Sequence, residues 1–158
     1  MGIVSGAVDR FLEAAHERGL DLEIRRFPVG TKTAPDAARA VGCEVGQIVK
    51  SLVFMADGRA VLALTSGANR VDVGKLAGLL GASEVHRATA DEARRATGFA
   101  IGGTPPFGFA GAVRVLMDGD LLGHEEVWAA AGTPDSVFRI PPQALREAAA
   151  AEVADFRE

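Results

Sequence analysis

Apolar positions fall along this chain with two periods, one helical and one extended, and the switches between them mark its elements. Val4, Ala7, Val8, Phe11, Leu12 and Ala15 recur at the spacing of one helix face, and Gly19 can close that helix. Leu22 to Phe27 reads as a short strand ended by Pro28. Thr33 is placed to cap a second helix, with Pro35 in its first turn and Asp36 three residues on; Gly42 stops it after Val41. Ile48 to Ala56 is a dense apolar run rich in β-formers, and Ala60 to Thr65 is another. Asp57-Gly58 lies between them, which predicts a β-hairpin.

The second half follows the same logic. Val71 to Leu80 is helical and closed by Gly81, and Glu84 to His86 reads as a strand. Thr89-Ala-Asp-Glu92 is a capping-box pattern that opens a helix ending before Gly98. From Gly98 to Gly111 the chain is irregular, with five glycines and two prolines. Long loops inside compact domains are often functional. Ala112 to Met117 returns as a strand, and Asp118-Gly119 marks a turn. Val127 to Ala131 and Val137 to Ile140 are strands around Gly132-Thr-Pro-Asp135, and Pro141 opens a last alanine-rich helix. No repeat or linker interrupts the 158 residues, so a single domain spanning 1–158 is expected. Its strands and helices do not alternate regularly, which predicts an α/β (α+β) fold with a mixed sheet.

Composition narrows the function classes. Nearly half the residues are apolar and about a quarter charged, a globular balance. No apolar run is long enough to cross a bilayer, and Met1 to Arg10 lacks a signal-peptide pattern, so a cytoplasmic protein is expected. The single cysteine, Cys43, excludes an internal disulfide and a cysteine metal cluster. His16, His86 and His124 are widely separated and show no metal-ligand spacing; no metal and no cofactor are expected. The net charge of −4 argues against a general nucleic-acid coat. Its distribution is uneven, however. Met1 to Val115 carries 14 basic and 12 acidic residues, whereas Leu116 to Glu158 carries 3 and 9. A polyanion is expected to meet the first two thirds of the chain.

Two features carry candidate chemistry. Lysine is scarce, and Lys50 sits inside an apolar strand, on the same side as Ile48, Leu52 and Phe54 by alternation. An ammonium among such neighbours is costly unless it faces a cleft or a partner. A lysine snorkelling at a strand end gives the same pattern. The second feature is Gly102-Gly-Thr-Pro-Pro-Phe-Gly108, whose glycines admit close backbone approach and whose prolines fix a shape. Such a loop can offer amides to an anion or carbonyl, although Gly/Pro clusters are more often plain turns. It is neither a P-loop nor a dinucleotide fingerprint. Asp118 and Asp120 read as a turn, Trp128 as core, and Cys43 and His124 lack catalytic partners in sequence.

In order along the chain stand Gln47-Ile-Val-Lys-Ser-Leu-Val-Phe54, the hairpin Asp57-Gly58, Gly67-Ala-Asn-Arg-Val-Asp72, Thr97-Gly-Phe-Ala-Ile-Gly-Gly-Thr-Pro-Pro-Phe-Gly108 and a strand ending at Asp118. This series resembles the YbaK/ProX family of aminoacyl-tRNA deacylases, relatives of the editing domain inserted in bacterial prolyl-tRNA synthetase. The likeness covers roughly Thr33 to Leu145. It implies a mixed, largely antiparallel, barrel-like sheet surrounded by helices. It also implies hydrolysis of the ester joining a wrongly attached small amino acid to the end of a tRNA, most often proline tRNA, by a free-standing enzyme. Prolyl-tRNA synthetase is an implied partner and no metal or organic cofactor is implied.

Carried over by position, Lys50 matches the family's essential lysine, and Gly102, Gly103, Thr104, Pro106 and Gly108 fall in the loop that cups the aminoacyl end. Gly132 lies in a later turn bordering the pocket, and Ser136 is a further candidate for substrate contact. Arg25, Arg26, Lys32 and Arg70 are the expected tRNA contacts. Relatives carry a polar residue after the loop's last glycine where this chain has Phe109, which implies a more apolar pocket and leans toward alanine as cargo. No residue stands out as a general base; the substrate's ribose 2′-hydroxyl can serve. Two other readings fit the same residues: a binding module of this fold without turnover, and a hydrolase of another small ester.

Overall fold

A computed structural model describes residues 6–27 and 33–158; Val4, Pro28 and Lys32, named above, lie outside them. The elements in order are α1 (Ala7–Glu17), β1 (Ile24–Arg26), α2 (Ala34–Val41), β2 (Val49–Ala56), β3 (Arg59–Ser66), α3 (Val73–Leu80), β4 (Val85–Arg87), α4 (Ala90–Thr97), β5 (Arg114–Asp118), β6 (Val127–Ala130), β7 (Ser136–Ile140), α5 (Pro142–Ala149) and β8 (Glu152–Ala154). Local chemistry sets most boundaries. Thr33 accepts the Asp36 amide at 3.2 Å, and Thr89 and Glu92 form the reciprocal capping box that opens α4. At the hairpin Asp57 and Gly58 both have positive φ, 48° and 81°, the twist a two-residue turn between antiparallel strands requires.

The strands form two sheets. One has the order β1-β7-β6 and is antiparallel; the other has the order β4-β2-β3-β5-β8. In the larger sheet β4, β2 and β3 run antiparallel, whereas β3-β5 and β5-β8 are parallel. The fold is thus mixed and largely antiparallel, as expected, but the expected barrel does not close. The sheets meet through a single parallel bridge, Ile48 to Trp128, among the described residues. Closure needs edge strands that pair along their length, and β1, β4 and β8 are three residues each.

The larger sheet is buried on both faces. Val49 and Val53 of β2 point into a core with Leu62, Leu64 and Met117, joined by Phe11, Phe107 and Phe138. Phe54 and Ala56 point the other way, against Leu76 of α3, Leu116 and Phe156. Two-sided burial explains why Ile48 to Ala56 reads as a continuous apolar run rather than as clean alternation. Phe11 stands 4.9 Å from Phe107 and 4.8 Å from Phe138, ring centre to ring centre, and locks α1 onto the sheet. Truncating such a buried phenylalanine costs about 3–5 kcal/mol. A third cluster, Ala37, Ala38, Ile48, Trp128 and Val137, packs α2 over the junction of the two sheets. No helix among the described residues is long and apolar enough to cross a membrane.

Candidate active site

The junction of the sheets is also where the chain leaves space. A cavity of about 550 Å³ opens there, walled by the start of α2, the first half of β2, the turn after β3, the glycine–proline loop, β6 and the start of β7. This volume lies in the range of small-molecule sites. Among the described residues three cations line it: Lys50, Arg70 and Arg87. No aspartate or glutamate does so among the described residues. Ile48, Leu52, Trp128, Ala129 and Val137 supply apolar wall. In a chain of net charge −4 this is a local excess of positive charge, suited to an anionic ligand with a small apolar group.

Lys50 stands half-buried on the wall, on the face of β2 that alternation assigns it. Its Nζ donates to the Asn69 carbonyl at 2.5 Å. Burial pushes its pKa below the usual 10.5, and the neighbouring charges of Arg70 and Arg87 push it the same way; Asp118 opposes them. The ammonium is therefore held on the cavity wall beside two other cations, where burial and those cations disfavour its charge.

The glycine–proline loop divides its residues between site and scaffold. Gly102 and Thr104 line the cavity. Gly103, Pro106 and Phe107 are buried behind them. A side chain at Gly103 would meet the Thr133 backbone at 2.7 Å, so this glycine lets two loops touch rather than admitting a ligand. Gly108 abuts Ala14, and Gly132 abuts the Ala7 carbonyl; both pack against α1 and neither lines the cavity. Phe109 packs on the main core and is absent from the cavity wall. The inference of an apolar pocket from Phe109 is therefore corrected: a residue following a left-handed glycine turns back into the protein here.

Thr104 and Ser136, both expected to contact substrate, line the cavity together with Ser51, and the bonds of the three hydroxyls differ. Thr104 Oγ1 donates to the Ala100 carbonyl at 3.1 Å. Ser136 Oγ is shared with Thr133, whose hydroxyl lies 2.6 Å away and whose amide donates to it at 3.2 Å. Ser51 lines the cavity, and its Oγ is buried with no protein partner. It is the one of the three whose oxygen makes no hydrogen bond among the described residues, and its burial closes it to a ligand in this structure.

Among the expected tRNA contacts, Arg70 lines the cavity. Arg25 is not on the wall but stacks 4.9 Å above the ring of Trp128, which is, and Arg26 is exposed on the next position of the edge strand β1. Lys32 lies outside the described residues. Arg87 and Asn69 escaped sequence reading. Arg87 reaches the site because it pairs across the sheet with Phe54, which puts it on the Lys50 face, its guanidinium 5.7 Å from the Phe54 ring. Asn69 stood inside the quoted Gly67–Asp72 motif, but its bonds cross 49 and 51 residues of sequence to Asp118 and Asp120.

Comparison with known proteins identifies relatives of the chain. The family profile of the aminoacyl-tRNA editing domain matches residues 29–148. The chain is 33% identical over 128 residues to a proline–tRNA ligase of Nitratidesulfovibrio vulgaris, covering 81% of this chain and 22% of that protein. It therefore spans about a fifth of the length of such ligases. It is 29% identical over 126 residues to YwhH of Bacillus subtilis, covering 79% of this chain and 80% of that protein. A crystal structure of a candidate trans-editing enzyme for prolyl-tRNA synthetase superimposes with a TM-score of 0.92 at 47% identity, over 99% of both chains.

Proposed function

This chain belongs to the aminoacyl-tRNA editing domain family, and we propose that it is a hydrolase that removes a wrongly attached small amino acid from the 3′ end of proline tRNA. The observation that carries the reading is the cavity itself: among the described residues its wall holds three cations, no carboxylate and a set of apolar side chains. An aminoacylated tRNA end presents a phosphate, a ribose and a small side chain, which match these in kind. The candidate trans-editing enzyme of nearly full overlap and the proline–tRNA ligases support proline tRNA and a synthetase partner.

The reaction is addition of water to the ester carbonyl, followed by loss of the ribose oxygen with a proton. Negative charge builds on the carbonyl oxygen, and a fixed cation nearby stabilises it. Lys50 supplies that cation or anchors the terminal phosphate, and Arg70 and Arg87 hold phosphate oxygens. Backbone amides around Gly102 orient the aminoacyl group. A cavity without a carboxylate has no evident protein base, so the neighbouring 2′-hydroxyl of the ribose directs the water. With Phe109 on the core and off the cavity wall, the lean toward alanine falls away and alanine, cysteine, serine and threonine remain as cargoes.

The test is release of amino acid from proline tRNA charged with each of these four and with proline, and from free aminoacyl esters. Release of a small residue with proline spared is expected. Rapid release of proline overturns the editing role. Turnover of free esters at the same rate points to a general esterase, and no release from any substrate leaves a binding module.

A further inference from the structure

We propose that Asn69 is the positioning residue for Lys50, fixed by the buried carboxylate of Asp118 and by a strap formed by Phe156, Arg157 and Glu158; this rests on Lys50 acting in the cavity as described above. Asp118 is 1% exposed and accepts three hydrogen bonds: the Ser66 amide at 3.1 Å, the Asn69 side-chain amide at 2.8 Å and the Asp120 amide at 2.9 Å. Asn69 Nδ2 also donates to Asp120 at 2.8 Å, so one carboxamide ties together two carboxylates. Its backbone carbonyl is the acceptor for Lys50. The side chain of Asn69 thereby sets where that carbonyl, and the ammonium it holds, can sit.

The strap secures the other side of the same turn. Arg157 donates to both oxygens of Asp120, at 3.0 and 2.8 Å. Its backbone bridges Val71, the Asp72 amide donates to the Phe156 carbonyl at 2.8 Å, and the Glu158 amide donates to the Arg70 carbonyl at 3.0 Å. Phe156 is fully buried beneath α3 and anchors the strap. The turn carrying Asn69 and Arg70 is thus held by β5, by the segment after it and by the strap. An ammonium with three N–H groups, one committed to Asn69, keeps two for a ligand in a fixed direction.

Misplacing a reacting group by about 1 Å can cost on the order of a hundredfold in rate. Asn69→Ala is expected to lower kcat by about ten- to a hundredfold at a temperature where the variant is still fully folded, its melting temperature falling by several degrees as buried Asp118 loses a bond. In a Lys50→Ala background the same substitution should cost nothing further, because its effect runs through the lysine. An unchanged kcat, or a full additional loss in the double variant, overturns the proposal. The chain has only three lysines, so the ε-carbon NMR signals of labelled protein give a readout independent of activity. Asn69→Ala should move the Lys50 signal toward those of ordinary exposed lysines; an unmoved signal overturns positioning even if no charged tRNA is turned over. If Asn69→Ala does not fold, Arg157→Gln is the second variant. It should cost about two- to fivefold, the equivalent of a surface ion pair, again only when Lys50 is present.

Discussion

Replacing Lys50 by methionine separates a functional lysine from a structural one. Methionine keeps an unbranched apolar stem on β2 and removes the charge. In the free protein that charge is poorly supported: burial and the guanidiniums of Arg70 and Arg87 disfavour it, while the Asn69 carbonyl and Asp118 favour it. The folded-state pKa therefore lies below the unfolded value near 10.5. Between those two values the unfolded chain binds more protons than the folded one, so wild-type stability rises with pH through that window. Below it the variant should equal or exceed wild type in stability, and the difference should shrink as pH climbs toward the unfolded value. The gain stays under about 1 kcal/mol, because the lysine is half exposed and water screens it. Catalysis should move oppositely. Losing one preorganised electrostatic contact costs about 2.7–4 kcal/mol of transition-state stabilisation, or a hundred- to a thousandfold in rate. Thermal melts from pH 7 to 10 and single-turnover release from a mischarged tRNA supply the two readings. A variant that is both destabilised and active would refute the assignment of Lys50 to the site.

Gly103→Val is expected to lose the fold, because the new side chain meets the Thr133 backbone, whereas Gly102→Asn tolerates its positive φ, keeps the fold and loses activity; thermal melts with deacylation rates check both. Binding of tRNA should weaken modestly with salt, at roughly 0.7–0.9 in logarithmic slope per phosphate held, and Arg70→Gln should reduce the slope by about one such step, measured by titration at several salt concentrations. Ser51→Ala should stabilise the free protein by about 1 kcal/mol in a denaturant melt, since it removes a buried hydroxyl that has no partner.

What could be read from the sequence was local. The Thr33 cap, the Thr89–Glu92 capping box and the Asp57-Gly58 turn are satisfied within a few residues of sequence, and they appear where expected. Lys50 was legible because a charge inside an apolar strand demands an explanation. Features set by pairing across distance were not. Strand β8 has two exposed residues of three and exists because it pairs with β5, so no periodicity announces it. The separation of the sheets depends on the shortness of strands at their edges. Arg87 depends on cross-strand register, and Asn69 on partners about fifty residues away. The glycines of the loop were read as glycines with a purpose, but sequence does not say whether a missing side chain makes room for a ligand or for another loop.

That last distinction bears on how such a site selects. A cavity that must admit a small side chain and refuse a larger one works by exclusion, and exclusion depends on a wall that does not yield. Attraction cannot substitute, because one methylene in an apolar pocket is worth only about 1–3 kcal/mol. The bonds that Thr104 and Ser136 make within the protein stiffen the wall. Thr104 ties the loop to Ala100, Ser136 ties the facing turn to Thr133, and Gly103 lets the two segments touch. A valine or alanine there would leave the composition of the wall similar and its rigidity lower. On the proposed reading, the polar residues of the two segments set the size limit of the cavity, while Lys50 and the two arginines are left to meet a substrate.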